Sequence, residues 1–226
     1  MFLRKSLLML AAVISTCGLS STAPARSRHH DRDRLAGSGK LETRSFDLRG
    51  WDSLRLDGSM DIELKVGDAH SATVKLDDNL FDNLVLEVRD GTLFVDWRKE
   101  CDADDQARLT LTAPSFVSLE INGAGDVKAD GFAGGEFDLR VRGAGDVELS
   151  GRVDALDIRV DGAGDIDAAD LAARNVEVVI AGAGDVDVSA SESLDGTIQG
   201  AGDITYRGDP AKVRTKVAGV GGIARR

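Results

Sequence analysis

Apolar and polar residues alternate with a period of two through much of the chain. In one stretch every second position is apolar or glycine: Phe137, Leu139, Val141, Gly143, Gly145, Val147 and Leu149. The next stretch repeats this alternation between Leu156 and Ala168. A period of two is typical of a β-strand with one buried face, and no helical period of 3.6 residues competes with it. The pattern predicts an all-β fold.

A repeated tetrapeptide divides the alternating region into units of nearly constant length. Gly-Ala-Gly-Asp occurs five times, and successive copies begin 20, 19, 20 and 18 residues apart. A fixed period in this range indicates a solenoid, in which each unit buries its apolar face against its neighbours. A unit of about 19 residues has room for two or three short strands, whereas a propeller blade needs about 40 residues. We therefore predict a parallel β-helix with one turn per copy.

The alternation also assigns the motif residues to faces of the coil. It places both glycines of each copy on the inward face, where the chain can bend because Gly accepts positive φ and close backbone approach. These structural glycines are Gly123, Gly125, Gly143, Gly145, Gly162, Gly164, Gly182, Gly184, Gly200 and Gly202. The outward aspartates of turns stacked about 4.8 Å apart should form a ladder along one edge. They are Asp126, Asp146, Asp165, Asp185 and Asp203.

These repeats carry a family resemblance. The segments INGAGDV, VRGAGDVELSG, VDGAGDIDAADL, IAGAGDVDVSA and IQGAGDITYRGDP resemble the head GIN domain of putative auto-transporter adhesins, a bacterial family of poorly defined function. LRLDGSMDIEL resembles the opening turn of that family, and YRGDP followed by VAGVGGI resembles its last turn. The resemblance covers about residues 46–223. It implies a right-handed single-stranded β-helix and an adhesin-like role, without established catalytic or ligand-binding residues.

The ends of the pattern predict three segments. Residues 1–25 read as a signal peptide, with a positive N-terminus, an apolar run over residues 7–14 and an A-x-A cleavage site at residues 23–25. The apolar run is too short to span a bilayer, so no transmembrane span should remain after cleavage. Residues 26–45 are polar and predict a flexible linker. Residues 46–226 form the predicted β-helix domain.

Cysteine and histidine positions add two alternatives near the N-terminus. The sequence ISTC ending at Cys17 resembles a lipoprotein acylation site, although Thr before the Cys departs from that pattern. A lipid anchor through Cys17 is therefore the alternative to a free exported protein in the periplasm or at the cell surface. Cleavage after residue 25 would leave Cys101 as a free thiol in a polar loop. His29 and His30 lie among acids that could hold a metal, but a solvated tether explains them better.

The net charge restricts the class of partner. It is −11 for the whole chain, and removal of residues 1–25 takes away Arg4 and Lys5 and no acid, which gives −13. So acidic a protein is repelled by nucleic acid and by anionic lipid headgroups. Binding to DNA or RNA is not expected.

The two ends of the predicted solenoid differ from its repeats. Residues 46–119 alternate less regularly and should form the first turns and an N-terminal cap, with Trp51 and Trp97 as capping or core aromatics. Asp90-Gly91 lies between two alternating runs and predicts a β-hairpin.

The last turn should be basic on its outer face, through Lys212, Arg214 and Lys216. These bases either prevent end-to-end pairing or dock onto an acidic surface such as the aspartate ladder of another copy.

The aspartate ladder allows a structural and a functional interpretation. Carboxylates about 4.8 Å apart repel by roughly 1 kcal/mol per adjacent pair in water, so something should offset the repulsion. One answer is that each Asp accepts hydrogen bonds from backbone N–H groups and caps its turn. The other is a row of hard cations such as Ca²⁺, held between successive Asp side chains and backbone oxygens, and no other cofactor is expected. The nine-residue period of calcium-binding β-rolls differs from the period found here.

We expect a non-enzymatic exported module that binds an extended protein or glycan, or a second copy of itself, or that serves as a scaffold. A calcium-stabilised structural solenoid is the alternative, and a carbohydrate-active enzyme is the third. No catalytic residues are assigned, because acids at most outward positions make any pair look like a glycosidase pair. A three-sided pocket with two acids and a perturbed pKa would favour the enzyme.

Overall fold

The structure is a computed structural model that describes residues 34–226. Within this range the protein contains strands and turns and no helix. The predicted signal peptide, the acylation motif at Cys17 and the pair His29 and His30 lie outside the described residues, and what was inferred about them remains a prediction.

The strands are β1 (Leu35–Ala36), β2 (Leu41–Phe46), β3 (Ser53–Leu56), β4 (Asp61–Val66), β5 (Ser71–Asp77), β6 (Leu84–Arg89), β7 (Thr92–Trp97), β8 (Cys101–Asp102), β9 (Arg108–Ala113), β10 (Ser118–Ile121), β11 (Val127–Ala133), β12 (Glu136–Val141), β13 (Val147–Val160), β14 (Ile166–Ile180), β15 (Val186–Ile198), β16 (Ile204–Arg207), β17 (Lys212–Val217) and β18 (Ile223–Arg225).

The strands stack in two parallel columns that meet at the tetrapeptide bends. The first column joins β7, β3, β10, β12, the second halves of β13, β14 and β15, and β17. The second column joins β9, β4, β11, the first halves of β13, β14 and β15, then β16 and β18. Each half-strand pairs with its equivalent one repeat later. The predicted all-β, parallel β-solenoid is confirmed.

Side chains of one phase fill the space between the columns. In β12 and the start of β13, Phe137, Leu139, Val141, Val147 and Leu149 are buried, while the residues between them face outward. Burial of each such side chain contributes about 1.5 to 3 kcal/mol. The core is thus a continuous hydrophobic column, and the alternation predicted from the sequence is the alternation observed.

The turns do not stack in chain order at the N-terminal end. The turn formed by β3 and β4 lies between the turn of β7 and β9 on one side and the turn of β10 and β11 on the other. The chain therefore forms the turn of β3 and β4 first and adds the turn of β7 and β9 on one side of it. It then returns to the other side of the first turn, where β10 continues the stack. The sequence did not predict this order.

An antiparallel cap closes the N-terminal end, as predicted in general terms. β6 and β7 form the expected hairpin, in which Asp90 has φ 47° and Gly91 has φ 79°. Both values are positive, as a type I′ turn requires. Trp51 is buried in the core, and Trp97 is half-buried against it.

The folded region begins earlier than expected. β1 and all but the last residue of β2 lie within residues 26–45, the predicted linker, and β2 pairs antiparallel with β5 over its whole length. A buried carboxylate fixes this segment: Asp77 is 1% exposed and accepts hydrogen bonds from the N–H groups of Gly39 at 2.7 Å and Asp104 at 3.0 Å. Residues from Leu35 onward therefore belong to the fold, and the linker boundary at residue 45 is wrong.

Candidate functional site

The aspartate ladder runs along the bend between the two columns. Ser59, Ala124, Ala144, Ala163, Ala183, Ala201 and Val220 pair in parallel from turn to turn, so the tetrapeptides are in register. The Asp side chains of the five copies are exposed. This places the five sequence-predicted aspartates together in a single row.

Each carboxylate in the row has a backbone partner. The N–H of Asp146 donates to Asp126 Oδ1 at 3.0 Å, that of Asp165 donates to Asp146 Oδ1 at 2.9 Å, and the later turns repeat the contact at 2.8 Å. The carboxylate therefore bonds to the following turn, and not to its own turn as the capping hypothesis supposed. These charge-assisted bonds offset the repulsion between neighbouring carboxylates.

The bond explains why an acid is present at this position. Within the bend, the other N–H groups find carbonyl partners in adjacent turns, as in the pairs Ala144 N with Gly123 O, Gly145 N with Ala163 O, and Val147 N with Asp165 O. The Asp N–H alone bonds to a side chain. A carboxylate one turn away supplies the acceptor that the backbone does not provide.

The motif glycines are required by the closeness of successive turns. A Cβ built on Gly143 would lie 1.8 Å from Gly123 O, and one built on Gly145 would lie 2.2 Å from Gly125 O. Gly145 also has φ 141°, as do its equivalents within a few degrees. The glycines are half-buried at the bend. Positive φ thus explains the second glycine, and contact with the preceding turn explains both.

The aspartate ladder contains one more aspartate than the sequence suggested, in the turn that stacks before the first Gly-Ala-Gly-Asp copy. Asp61 Oδ1 accepts the N–H of Asp126 at 3.0 Å, so Asp61 and not Asp126 begins the row. The signal was present in the sequence, since Gly58, Ser59 and Met60 precede Asp61 in the places of Gly, Ala and Gly. At the other end Gly222 donates to Asp203 Oδ1 at 2.6 Å and offers no carboxylate of its own.

The geometry of the ladder bears on the calcium hypothesis. Between residues 34 and 226 there is no group of three His, Cys, Asp or Glu side chains placed to hold a metal ion. The row leaves one carboxylate oxygen per turn without a backbone hydrogen bond. Calcium takes six to eight oxygen ligands, and the rest would have to come from water.

A second row of acids lies on the first column and was not predicted. Asp138, Asp157, Glu177 and Asp195 pair in register, each five residues before a tetrapeptide, and Arg214 ends the row. They line a lateral groove of about 810 Å³ that crosses successive turns. Five steps of about 4.8 Å give a groove roughly 24 Å long, starting at Val117. The constant five-residue offset is the sequence signal that could have revealed it.

One acid of the lateral groove is electrostatically perturbed. The pKa of Asp157 is raised, first because partial burial disfavours the charged form and then because Asp138 carries the same charge. Arg140 and Arg159 lower it in part. Asp157 and Glu177 form no ion pair within the described range. Asp138 and Asp157 are thus two neighbouring acids, one with a raised pKa, as the enzyme hypothesis requires, although they lie in a lateral groove and not in a three-sided pocket.

Neither Cys101 nor His70 is well placed to act as a nucleophile or a base. Burial raises the pKa of the Cys101 thiol, which keeps the reactive thiolate scarce at neutral pH. His70 Nε2 lies 2.8 Å from the carbonyl oxygen of Trp51, and its ring packs edge-on against the indole. Among residues 34–226 Cys101 has no disulfide partner, but it lies half-buried in the short strand β8 and not in the polar loop that was predicted.

Comparison with known proteins supports the assignment made from the repeats. The model of a family described as "putative auto-transporter adhesin, head GIN domain" matches residues 50–210. The chain belongs to this family. The resemblance seen in the sequence is therefore confirmed. No curated protein matches the chain.

Solved structures share the GIN fold. A putative adhesin from Bacteroides fragilis NCTC 9343 is 24% identical and has a TM-score of 0.70, covering 85% of this chain and 100% of its own. A putative adhesin from Parabacteroides merdae ATCC 43184 is 20% identical, with a TM-score of 0.55 and coverage of 86% and 100%. A putative lipid binding protein from Parabacteroides distasonis ATCC 8503 is 26% identical, with a TM-score of 0.50 and the same coverage.

The described part of this GIN domain contains no candidate for a membrane-spanning helix. Over residues 34–226 no helix is long and apolar enough to cross a bilayer.

Proposed function

We propose that this GIN domain is a non-enzymatic, exported binding and scaffold module of the bacterial envelope or cell surface. The observation that carries the proposal is the lateral groove, which runs across successive turns and holds a row of acids in register. A groove of this length fits an extended ligand, such as a polypeptide strand or a glycan chain. The family name supports an adhesive role.

The side chains of the lateral groove restrict the class of ligand that it can bind. Asp157 and Glu177 offer carboxylates without ion-pair partners in the described chain, and these can accept hydrogen bonds from sugar hydroxyls or from peptide N–H groups. Their negative charge favours neutral or basic ligands over acidic ones. A rigid parallel solenoid holds the carboxylates about 4.8 Å apart without loop closure, so little ordering entropy is lost on binding.

A binding panel tests the proposal. Full-length mature protein is screened against immobilised neutral polysaccharides, extracted envelope proteins and lipid vesicles, the last because one structural neighbour is described as lipid binding. Glu177→Lys should abolish capture of the ligand, whereas Asp105→Lys, in an exposed loop away from the groove, should not. Equal capture by both variants and the parent would refute the groove as the binding surface.

A carbohydrate-active enzyme is the second candidate, because Asp138 and Asp157 are neighbours and the pKa of Asp157 is raised. A carboxyl group with a raised pKa can serve as a general acid beside a carboxylate with an ordinary pKa. The candidate makes a distinct prediction, namely that products accumulate from the polysaccharide bound and that Asp157→Asn stops their release without stopping binding. Binding without turnover in the parent protein supports the non-enzymatic module.

Export and anchoring are proposed from the sequence of residues 1–25. Mass spectrometry of the protein purified from its native envelope tests them directly. A mature N-terminus near Arg26 supports a free exported protein, and a lipid-modified N-terminal Cys17 supports the anchored alternative. A chain that begins at Met1 would refute both.

A further inference from the structure

The last turn of the solenoid leaves core positions open. Val213 and Val217 of β17 are 44% and 46% exposed, whereas Leu194 and Ile198, their partners one turn earlier, are 1% and 0% exposed. Val220 occupies the place of the motif alanine and is 75% exposed. Contiguous exposed apolar side chains at one end of a fold indicate a surface that another molecule covers.

The same turn has unpaired backbone groups. In an earlier turn, Val160 O accepts two N–H groups from the next turn and Gly162 O accepts a third, while Gly164 N and Ile166 N donate to carbonyls there. Their equivalents in the last turn have no following turn among the described residues. These groups are Val217 O, Gly219 O, Gly221 N and Ile223 N. Together they form a strand edge with two acceptors followed by two donors.

The charge of this edge is opposite to that of the rest of the molecule. Lys212, Arg214 and Lys216 are exposed in β17 and stand in register over Ser193, Asp195 and Thr197 of β15. Arg214 reaches Asp195 only at 4.0 Å. Lys212 and Lys216 have no ion-pair partner in residues 34–226. Unpaired bases alternate here with exposed valines.

We propose that this edge binds an extended acidic segment of another polypeptide, which adds a strand beside β17. Its alternate acids would contact Lys212 and Lys216, and its apolar residues would cover Val213 and Val217. A polypeptide in strand conformation presents N–H and C=O groups at the spacing of the free groups on this edge, whereas an anionic polysaccharide would match only its charge. Pairing with β17 of a second copy would set base against base, and this is unfavourable. The edge meets the lateral groove only at Arg214, and neither Lys212 nor Lys216 lines that groove, so the inference goes beyond the proposed function.

Synthetic peptides of alternating Glu and Val test the proposal against the mature protein. We expect the acidic peptide to bind and to protect the last turn from hydrogen exchange. A Lys-Val peptide should not bind. An acidic peptide N-methylated at alternate residues keeps its charge but cannot pair as a strand, so it should also fail. Lys212→Glu with Lys216→Glu should weaken binding by about tenfold or more.

Control variants and control ligands distinguish binding at the β17 edge from binding at other charged surfaces of the protein. Lys65→Glu with Lys99→Glu reverses the same charge at exposed lysines elsewhere and should leave affinity unchanged. Equal binding of the N-methylated peptide or of heparin would show simple charge attraction and overturn the strand-addition proposal. Failure of the acidic peptide to bind would show that the bases only prevent edge pairing. Unchanged affinity of the variant that combines Lys212→Glu with Lys216→Glu would place the peptide elsewhere on the protein and overturn the proposal.

Discussion

Asp165 gives the sharpest test of what the aspartate ladder does. Its Oδ1 accepts the N–H of Asp185 at 2.8 Å, and its own N–H donates to Asp146 at 2.9 Å. Asp165→Ala removes the acceptor but leaves its own N–H bond intact. Asp165→Asn keeps an acceptor oxygen and removes the charge. The pair of variants therefore separates hydrogen bonding from charge.

The expected magnitudes follow from the geometry. A hydrogen bond to a charged acceptor contributes about 1.5 to 3 kcal/mol, and its loss destabilises Asp165→Ala. Either variant also relieves repulsion with two neighbouring carboxylates, by roughly 0.5 kcal/mol each at physiological salt. The Ala variant should thus lose about 0.5 to 2 kcal/mol. The Asn variant, with a weaker neutral bond and the same relief, should lie within about 0.5 kcal/mol of the parent.

Thermal unfolding followed by circular dichroism measures the difference. For a domain of this size about 1 kcal/mol corresponds to 2 to 4 °C, so the Asn variant should melt about 1 to 8 °C above the Ala variant. Asp105→Ala is the control, because within the described chain Asp105 makes no side-chain hydrogen bond or ion pair. Equal melting temperatures for the Ala and Asn variants would refute the idea that the backbone bond maintains the ladder.

Three further predictions concern the motif, the groove and calcium. Gly145→Ala should lose about 3 kcal/mol or more, since its Cβ would lie 2.2 Å from Gly125 O at φ 141°, while Ala144→Ser should melt like the parent. The pKa of Asp157 is raised because its surroundings in the folded protein disfavour the charged form, so Asp157→Asn should have a higher melting temperature than the parent at pH 7. This gain in melting temperature should vanish below pH 3.8, where the carboxyl group is protonated in both the folded and the unfolded protein. Asp105→Asn, the control, should show no such gain. Calcium in place of chelator should leave the melting temperature unchanged, and a rise would favour a calcium-stabilised solenoid.

The repeats were predictable because one local rule is applied again in every turn. Phe137, Leu139 and Val141 specify a buried face, and their equivalents at Leu156, Ile158 and elsewhere specify the same face one period later. Only one strand register agrees with both the repeat period and the alternation of apolar residues, so the turns can stack in only one way. A shift of one residue would expose the whole core face, so the sequence strongly determines the pairing.

The order of the N-terminal turns was not predictable in the same way. LRLDGSMDIEL shows that β3 and β4 form a turn, but it does not specify which turn lies beside it. That neighbour is set by long-range pairing of β3 with both β7 and β10. β2 escaped prediction for another reason, since four of its six residues are exposed and an edge strand with little buried surface has no hydrophobic pattern.

The partner of each ladder carboxylate was also beyond local reasoning. Asp after Gly commonly caps its own turn, and that expectation uses only nearby residues. In the structure the acceptor serves the following turn, 18 to 20 residues away. The contact depends on the bend geometry that both glycines allow. It becomes apparent only when the stacked backbone is known.

Among the rows of equivalent residues in successive turns, some keep one residue type and others vary, and the two kinds have different roles. The Ala and Asp rows keep one residue type through the five copies and make the same backbone contacts in each, which is what stacking requires. The row two residues after the groove acids changes from Glu120 to Arg140, Val179 and Lys216. Stacking cannot explain that variation, because the backbone is equivalent at each position. Under the proposed binding function, we therefore expect ligand specificity to come from the rows on the first column, beside the lateral groove, and from the last turn of the stack.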